Sequence, residues 1–339
     1  FGYALNMDLN KVPIIVIDHA GTPESRQLTM LFDGSPYFNI IAHAGKDSEI
    51  ESYIGKGKAL AGLVIPADFS KRLAGGLMPA AQFIVDGSDA NTATFAMNYA
   101  ESLGHIAGAE LGTRFVSNPK PAGARKISIK TRAWFNQDLR SKNVIVPGVI
   151  AIVMVIIASM LTSVTVAREW ETGTMEQLIS TPVSRSEIVF GKVIPYFCIG
   201  FIDLLISFIV GRFLFQVPFR GNLAVLFLLS SIFLSGSLFF GLFLSIKLRR
   251  QVLANQVALM AGYLPTLFLS GFVFAIPNMP WFLQKISSIV PARYFITILR
   301  SLYLKGVGLE ILWLNAVLLA AYALLFVAAS QSSLKLKVE

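Results

Sequence analysis

Few side chains in this sequence stand at spacings that could carry out covalent chemistry, and each has a structural reading beside the chemical one. Gly55-Lys56-Gly57-Lys58 has the glycines and lysines of a phosphate loop, but it lacks the first glycine, the Ser/Thr after the lysine and a strand feeding directly into it. It reads as a solvated turn before a strand at Ala61. His19, His43 and His105 have no metal-ligand spacing, and no Ser/His/Asp order can be assembled around them. Asp18 and Asp86 both close apolar strands, a place where α/β folds often bind ligands; capping of the next turn accounts for them equally well. Cys198 stands alone inside an apolar run, so it forms no disulfide or thiolate site and reads as a packing residue. Asp203 interrupts the apolar run between Lys192 and Arg212, and an acid at membrane depth is a functional candidate, although a structural partner would also explain it. The densest polar pattern is Arg168 to Lys192. There Thr174 followed by Gln177 has the form of a capping box, Met175, Leu178 and Ile179 make one apolar face, and Pro182 stops the turn. Ser184 with Glu187 offers a second helix start. A short amphipathic helix at a membrane surface is the expected product, either as an interfacial anchor or as a docking element.

The elements that position these residues follow from composition. The chain has 339 residues, 54% hydrophobic and 14% charged, with a mean hydropathy of +0.63. That is too apolar for one soluble core. A helix needs roughly 20 residues to cross the hydrocarbon layer, and five runs reach or approach that length: 144–167, 193–211, 222–246, 252–276 and 311–330. All lie after residue 143. Phe1-Gly2-Tyr3-Ala4-Leu5 opens without a methionine, and a sixth spanning helix is expected before residue 1.

Residues 1–143 carry charges throughout and form a domain large enough for its own core. Short β-rich runs at Val12–Ile17, Tyr37–Ala42, Ala61–Ile65, Gln82–Val85 and Lys126–Trp134 alternate with helical patterns. Thr22-Pro23-Glu24 and Asp47-Ser48-Glu49 supply capping or first-turn residues, and Asp86-Gly87-Ser88-Asp89 makes a turn before a long helix from about Ala90 to Phe115. This is an α/β domain, expected to hold a largely parallel sheet with the last strand free to join antiparallel at an edge.

Of the net charge of +9, residues 1–143 contribute 15 basic against 13 acidic residues, and the remainder 14 against 7. The excess belongs to membrane loops, and no basic stripe interleaved with aromatics suggests nucleic acid. With 1–143 outside, eight basic residues (Arg168, Arg185, Lys192, Lys247, Arg249, Arg250, Lys335, Lys337) fall inside and six (Arg212, Arg220, Lys285, Arg293, Arg300, Lys305) outside. The cluster Lys247-Leu248-Arg249-Arg250 against a span end favours that orientation.

Glu169, Glu171, Gly173, Thr174, Glu176, Gln177, Leu178, Thr181, Pro182, Ser184, Arg185, Glu187, Gly191 and Lys192 stand as in the segment that type-2 ABC permeases use to contact their ATPase, with Trp170 where a second charged residue is common. Ser270-Gly271-Phe272-Val273-Phe274, Ile276-Pro277, Met279-Pro280 and Pro291-Ala292-Arg293-Tyr294-Phe295 resemble the outer half of the same family's fifth helix and its re-entrant hairpin, and with Val217-Pro218-Phe219-Arg220-Gly221 the resemblance covers essentially the whole membrane half. The resemblance implies a multi-pass α-helical membrane protein of the type-2 ABC exporter fold with an inserted extracytoplasmic α/β domain. It implies a cytoplasmic coupling helix at about 171–181, and ATPase coupling through Glu169, Glu171, Gly173, Thr174, Met175, Glu176, Gln177, Leu178, Thr181 and Pro182 on and around it. It also implies an outer hairpin at about 278–303, gated by Pro277, Met279, Pro280, Pro291, Arg293 and Tyr294, whose prolines break helices. The implied activity is export of small amphipathic compounds, drugs or lipid-like molecules, across a bacterial inner membrane. The resemblance also implies no cofactor or metal bound by this chain, with ATP and Mg on a separate ATPase subunit. The implied partners are that ATPase, a second permease copy or paralogue, the lipid bilayer and a periplasmic adaptor, with no nucleic acid. Alternatives are an ATPase-driven signal transmitter and a proton-coupled carrier using Asp203.

Overall fold

The computed structural model describes residues 11–75, 77–114, 127–136, 140–274, 276 and 279–334. These fall into two compact units, one within Met7–Ser141 and one within Lys142–Glu339. Pro277, Lys335, Lys337, Phe115, Lys126 and the N-terminal Phe1–Leu5 lie outside the described residues.

The first unit runs β1 (Val12–Asp18), α1 (Pro23–Asp33), β2 (Phe38–His43), α2 (Asp47–Gly55), β3 (Ala61–Ile65), α3 (Phe69–Ala74), β4 (Ala80–Asp86), α4 (Ala90–Arg114) and β5 (Ser128–Trp134). Its sheet has the order β2-β1-β3-β4-β5. Successive side chains of a strand point to opposite faces, and β1 is apolar on both. Ile14 and Val16 join Phe32, Phe38, Leu63, Phe83 and the alanines of α4 in the larger core. Ile15 and Ile17 meet Ile50 and Ile54 of α2.

Strand direction differs from expectation. The antiparallel ladder is the internal β3/β4 pair, whereas the last strand, β5, runs parallel to β4. The connection decides this. A parallel return needs a crossover of a dozen or more residues, and the 25-residue α4 supplies one between β4 and β5. The six-residue α3 is about 9 Å long at 1.5 Å per residue, too short to carry the chain back along β3.

Asp18 is a capping residue. Its Oδ1 accepts from the Ala20 and Gly21 amides at 2.9 and 3.0 Å, and its Oδ2 accepts from Ser25 Oγ at 2.6 Å. Thr22 and Ser25 complete a capping box at the start of α1. Asp86 does the same for its turn, accepting from the Ser88 amide at 2.9 Å. Asp18→Ala removes three bonds and leaves Ser25, which is buried, without its carboxylate. The expected cost is about 1–3 kcal/mol of local stability, read as faster amide exchange in α1 of the intact chain. Lys56, Gly57 and Lys58 are exposed in a turn at positive φ of Gly57, with no cradle around them.

The second unit contains α5 (Ser141–Ser163), α6 (Thr165–Thr172), α7 (Thr174–Ile179), α8 (Arg185–Ile209), α9 (Leu223–Leu248), α10 (Gln251–Ala258), α11 (Leu264–Leu269), α12 (Trp281–Ser287), α13 (Pro291–Arg300) and α14 (Leu309–Ser333). π-helical turns occupy Val210–Leu214, Leu259–Tyr263 and Ser301–Lys305. Among the described residues, five continuous rods are long and apolar enough to cross a membrane: Lys142–Thr172, Arg185–Leu214, Leu223–Leu248, Gln251–Leu269 and Leu309–Ser333.

Three rod ends differ from the sequence reading by five residues or more. The first continues through Arg168 to Thr172, because the polar turn after Ala167 stays helical. The second begins eight residues before Val193, because the Ser184/Glu187 capping box starts it directly. The fourth stops at Leu269 rather than near Ile276, where Ser270 Oγ turns back to accept from the Phe272 amide. Cys198, read as a packing residue, is exposed on α8.

α9 is the hub of this unit. Its small residues let backbones approach, as they do between membrane helices generally: a Cβ on Gly241 would lie 2.4 Å from Ser159 O, and one on Gly236 would lie 2.7 Å from the Tyr322 ring. Hydroxyls lock the seams. Thr162 Oγ1 donates to Leu238 O at 2.8 Å and Ser330 Oγ to Phe239 O at 3.1 Å.

Candidate functional site

Three consecutive residues of α6 each reach a different element. Glu169 pairs with Lys192 on α8. Trp170 lies under the Arg249 guanidinium, 4.3 Å from the ring centroid, at the residue that ends α9 in a left-handed conformation. Glu171 accepts from the Gln251 amide at 2.9 Å and from its side-chain amide at 2.5 Å, so one carboxylate satisfies an otherwise free donor at the start of α10. The N-terminal end of α6 is fixed as firmly: Ser245 Oγ of α9 accepts from the Val166 and Ala167 amides at 3.0 and 2.8 Å. α6 is therefore tied to α8, α9 and α10 within two turns.

Gly173 then reverses the backbone at φ 73°, a left-handed conformation that suits glycine, and α7 begins. The expected capping box at Thr174 is absent: Gly173 occupies the cap position and no side chain bonds there. Thr174 instead faces back to Thr172 Oγ1 at 3.1 Å. The reason is the uninterrupted helix before it, which leaves Thr174 as the first helical residue rather than the one preceding. The short helix consequently covers Thr174–Ile179, and Glu169 and Glu171 sit on the span-linked helix before it rather than on it. On α7, Met175 is fully buried and Leu178 and Ile179 are half-buried, while Glu176 and Gln177, and Thr181 and Pro182 just past its end, are exposed. The apolar face expected of Met175, Leu178 and Ile179 thus anchors the helix and turns a polar face outward.

The second constellation is the hairpin α12–α13. Pro280 is the cap of α12 and Pro291 opens α13 in its first turn, so these prolines initiate helices where the sequence suggested they break them. Met279 is buried. Arg293 donates to Gln284 O at 3.1 Å and Ser287 Oγ at 3.3 Å, and Tyr294 Oη donates to Ser288 O at 2.5 Å. Those bonds close the turn between α12 and α13. Ser287 Oγ in turn donates to Leu269 O at 2.6 Å, which ties the hairpin to the end of α11. The Arg220 amide donates to Tyr303 O at 3.2 Å, and Gly221 packs so closely on Leu302 that a Cβ would lie 2.9 Å from its carbonyl oxygen.

Sequence reasoning missed Ser245, Gln251 and the Trp170–Arg249 stack. Arg249 had been visible only as part of a charge cluster; partners some 80 residues apart leave no local signal. Asp203 stands apart from both constellations, within α8. Among the described residues no group of His, Cys, Asp and Glu could hold a metal ion.

Five apolar rods, an anchored polar-faced helix between the first two and a proline-initiated hairpin define a multi-pass helical membrane protein carrying an α/β domain. Residues 1–330 match the family described as ABC-2 family transporter protein, and the chain belongs to that family. It is 36% identical to the Escherichia coli K12 protein named "Probable multidrug ABC transporter permease YbhS" over 341 residues, covering 100% of this chain and 89% of that one. It is 31% identical to "Probable multidrug ABC transporter permease YbhR" of the same organism, over 92% of this chain and 83% of that one. The solved structure titled "Crystal structure of a domain of a putative ABC type-2 transporter from Thermotoga maritima MSB8" has a TM-score of 0.30 and 18% identity, over 36% of this chain and 83% of that one.

Proposed function

We propose that the chain is the permease subunit of a bacterial ABC exporter that moves small amphipathic compounds outward across the inner membrane, driven by ATP and Mg bound to a separate ATPase subunit. The observation that carries this reading is the exposed group Glu176 and Gln177, with Thr181 and Pro182 just after them, on and beyond a helix anchored by Met175, one residue past a turn tied to three other helices. A push on α7 passes through Gly173 into α6, and from there into α8, α9 and α10. The names of the relatives, multidrug permeases, support the export reading. The hairpin with Met279, Pro280, Pro291, Arg293 and Tyr294 forms the gate at the opposite membrane face; Pro277 belongs with it by sequence. Function requires a second permease copy or a paralogue, and the α/β domain faces the periplasm, where an adaptor docks on it.

Two experiments test this. With the ATPase complex in lipid vesicles, amphipathic drugs are expected to stimulate hydrolysis; hydrolysis indifferent to every such compound would favour a signal transmitter. For orientation, Ser102→Cys on α4 and Gln177→Cys on α7, each in a Cys198→Ala background, are to be labelled with a membrane-impermeant maleimide. Label is expected on residue 102 from the periplasmic side and on residue 177 only after the inner membrane is opened. The reverse pattern would invert the topology.

A further inference from the structure

α8 carries a carboxylate that none of the contacts above uses. Asp203 lies near the middle of the rod Arg185–Leu214, and its Oδ2 is buried without a hydrogen-bond partner. A charged group at that depth is costly unless it is paired. The neighbouring cations of its own helix are engaged elsewhere: Lys192 with Glu169, and Arg212 with Val217 O at 3.4 Å. Placed on a helical wheel at 100° per residue, Lys192, Tyr196, Asp203 and Ser207 fall within about 60° of one another. This polar stripe adjoins the buried line Val193, Gly200 and Leu204.

The two ends of the rod meet the preceding one. Lys192 reaches Glu169 on α6, and Gly211 packs on Val146 and Ile150 of α5, where a Cβ would lie 3.3 Å from Val146 Cγ1. Asp203 lies between these contacts, eleven residues after Lys192 and eight before Gly211. On its other side Ile199, Ile202 and Ile206 are exposed by 50–55%. A carboxylate with no ion pair among the described residues therefore borders an exposed apolar surface, beside the buried line along which Gly200 packs on Leu234 of α9.

We propose that Asp203 is the recognition residue for a lipophilic organic cation, whose charge meets the carboxylate while its apolar body lies on Ile199, Ile202 and Ile206. This rests on the exporter reading for its role, since it names the class of amphipathic compound carried, but binding itself needs no ATPase. The test is equilibrium binding to the full chain in lipid nanodiscs, with empty nanodiscs subtracted. The probes are tetraphenylphosphonium and its counterpart of the same shape and opposite charge, tetraphenylborate. The wild type is expected to bind tetraphenylphosphonium saturably and to show no saturable tetraphenylborate binding. Asp203→Asn is expected to weaken the cation by about thirtyfold or more, the loss that accompanies truncation of one partner of a buried charge pair. Asp203→Glu should stay within about threefold, because it keeps the charge. Equal binding of both ions by the wild type, or wild-type cation affinity in Asp203→Asn, would overturn the proposal. The first comparison holds even if the asparagine variant fails to fold. Failure here leaves the exporter reading intact, because that reading is tested separately, by whether an ATPase co-purifies with the chain and whether drugs stimulate its hydrolysis.

Discussion

Lys192→Glu is expected to abolish transport, and the doubly reversed chain, Glu169→Lys with Lys192→Glu, is expected to recover most of it. In the wild type the two side chains are 21% and 28% exposed, and Glu169 Oε2 is buried with no hydrogen-bond partner. The ammonium of Lys192 is thus the main compensation for that carboxylate. Breaking a fully buried pair costs about 3–5 kcal/mol because one charge is left unpaired; with 21% and 28% of the two side chains in solvent, about 2 kcal/mol or more is expected here. Lys192→Glu is worse than deletion, since two carboxylates then face each other between α6 and α8. The double reversal restores the attraction in the same place. Drug efflux from cells, normalised to permease in the membrane, reads the result. If the single variant transports normally, the link between α6 and α8 has no part in transmission. If the double reversal stays as inactive as the single, the identity of each residue matters beyond its charge.

Gly241→Ala is expected to destabilise the membrane unit severely, although alanine is the better helix former. The added Cβ would lie 2.3 Å from Thr162 Oγ1 and 2.4 Å from Ser159 O, and backbone atoms cannot step aside as a side-chain tip can. The helices must separate, which also lengthens the Thr162-to-Leu238 hydrogen bond across the seam. Overpacking costs typically about 1–3 kcal/mol, and a backbone clash places this case at or above the top of that range. Gly191→Ala is the control. It lies on α8 with nothing within 4 Å of the new Cβ, so it should be neutral or stabilising by up to about 1 kcal/mol. Melting of the purified chain in detergent should show a large drop for the first variant and none for the second. Equal melting would mean that the α5–α9 seam is looser than described.

The two halves of the molecule were legible to different degrees, for reasons that particular residues make plain. The strand at Ala61–Ile65 could be bounded from sequence because Gly57 and Pro66 bracket a short apolar run. Its partner's direction could not, since that depends on how far the six-residue α3 reaches. Long apolar runs such as Leu223–Leu248 announce themselves through length alone. Their ends do not: whether Arg168–Thr172 continues a helix turns on Ser245 supplying an acceptor from a distant segment. The polar face of α7 could be anticipated from the spacing of Met175, Leu178 and Ile179. The turn that would carry its motion could not, because Glu169, Trp170 and Glu171 find partners 23, 79 and 80 positions along the chain. Asp203 could be singled out by type and setting, but its place on a polar stripe beside exposed isoleucines required the helix to be packed.

The central claim is that α7 is the docking site of a separate ATPase, and its most direct test is purification of the permease from its native membrane. The wild type is to be compared with a Glu176→Ala, Gln177→Ala chain, which alters only exposed side chains and leaves Met175 in place. The account predicts that an ATP-hydrolysing subunit accompanies the wild type and is lost from the variant, with equal amounts of folded permease in both. An ATPase that remains equally bound to the variant, or none with the wild type, would contradict it.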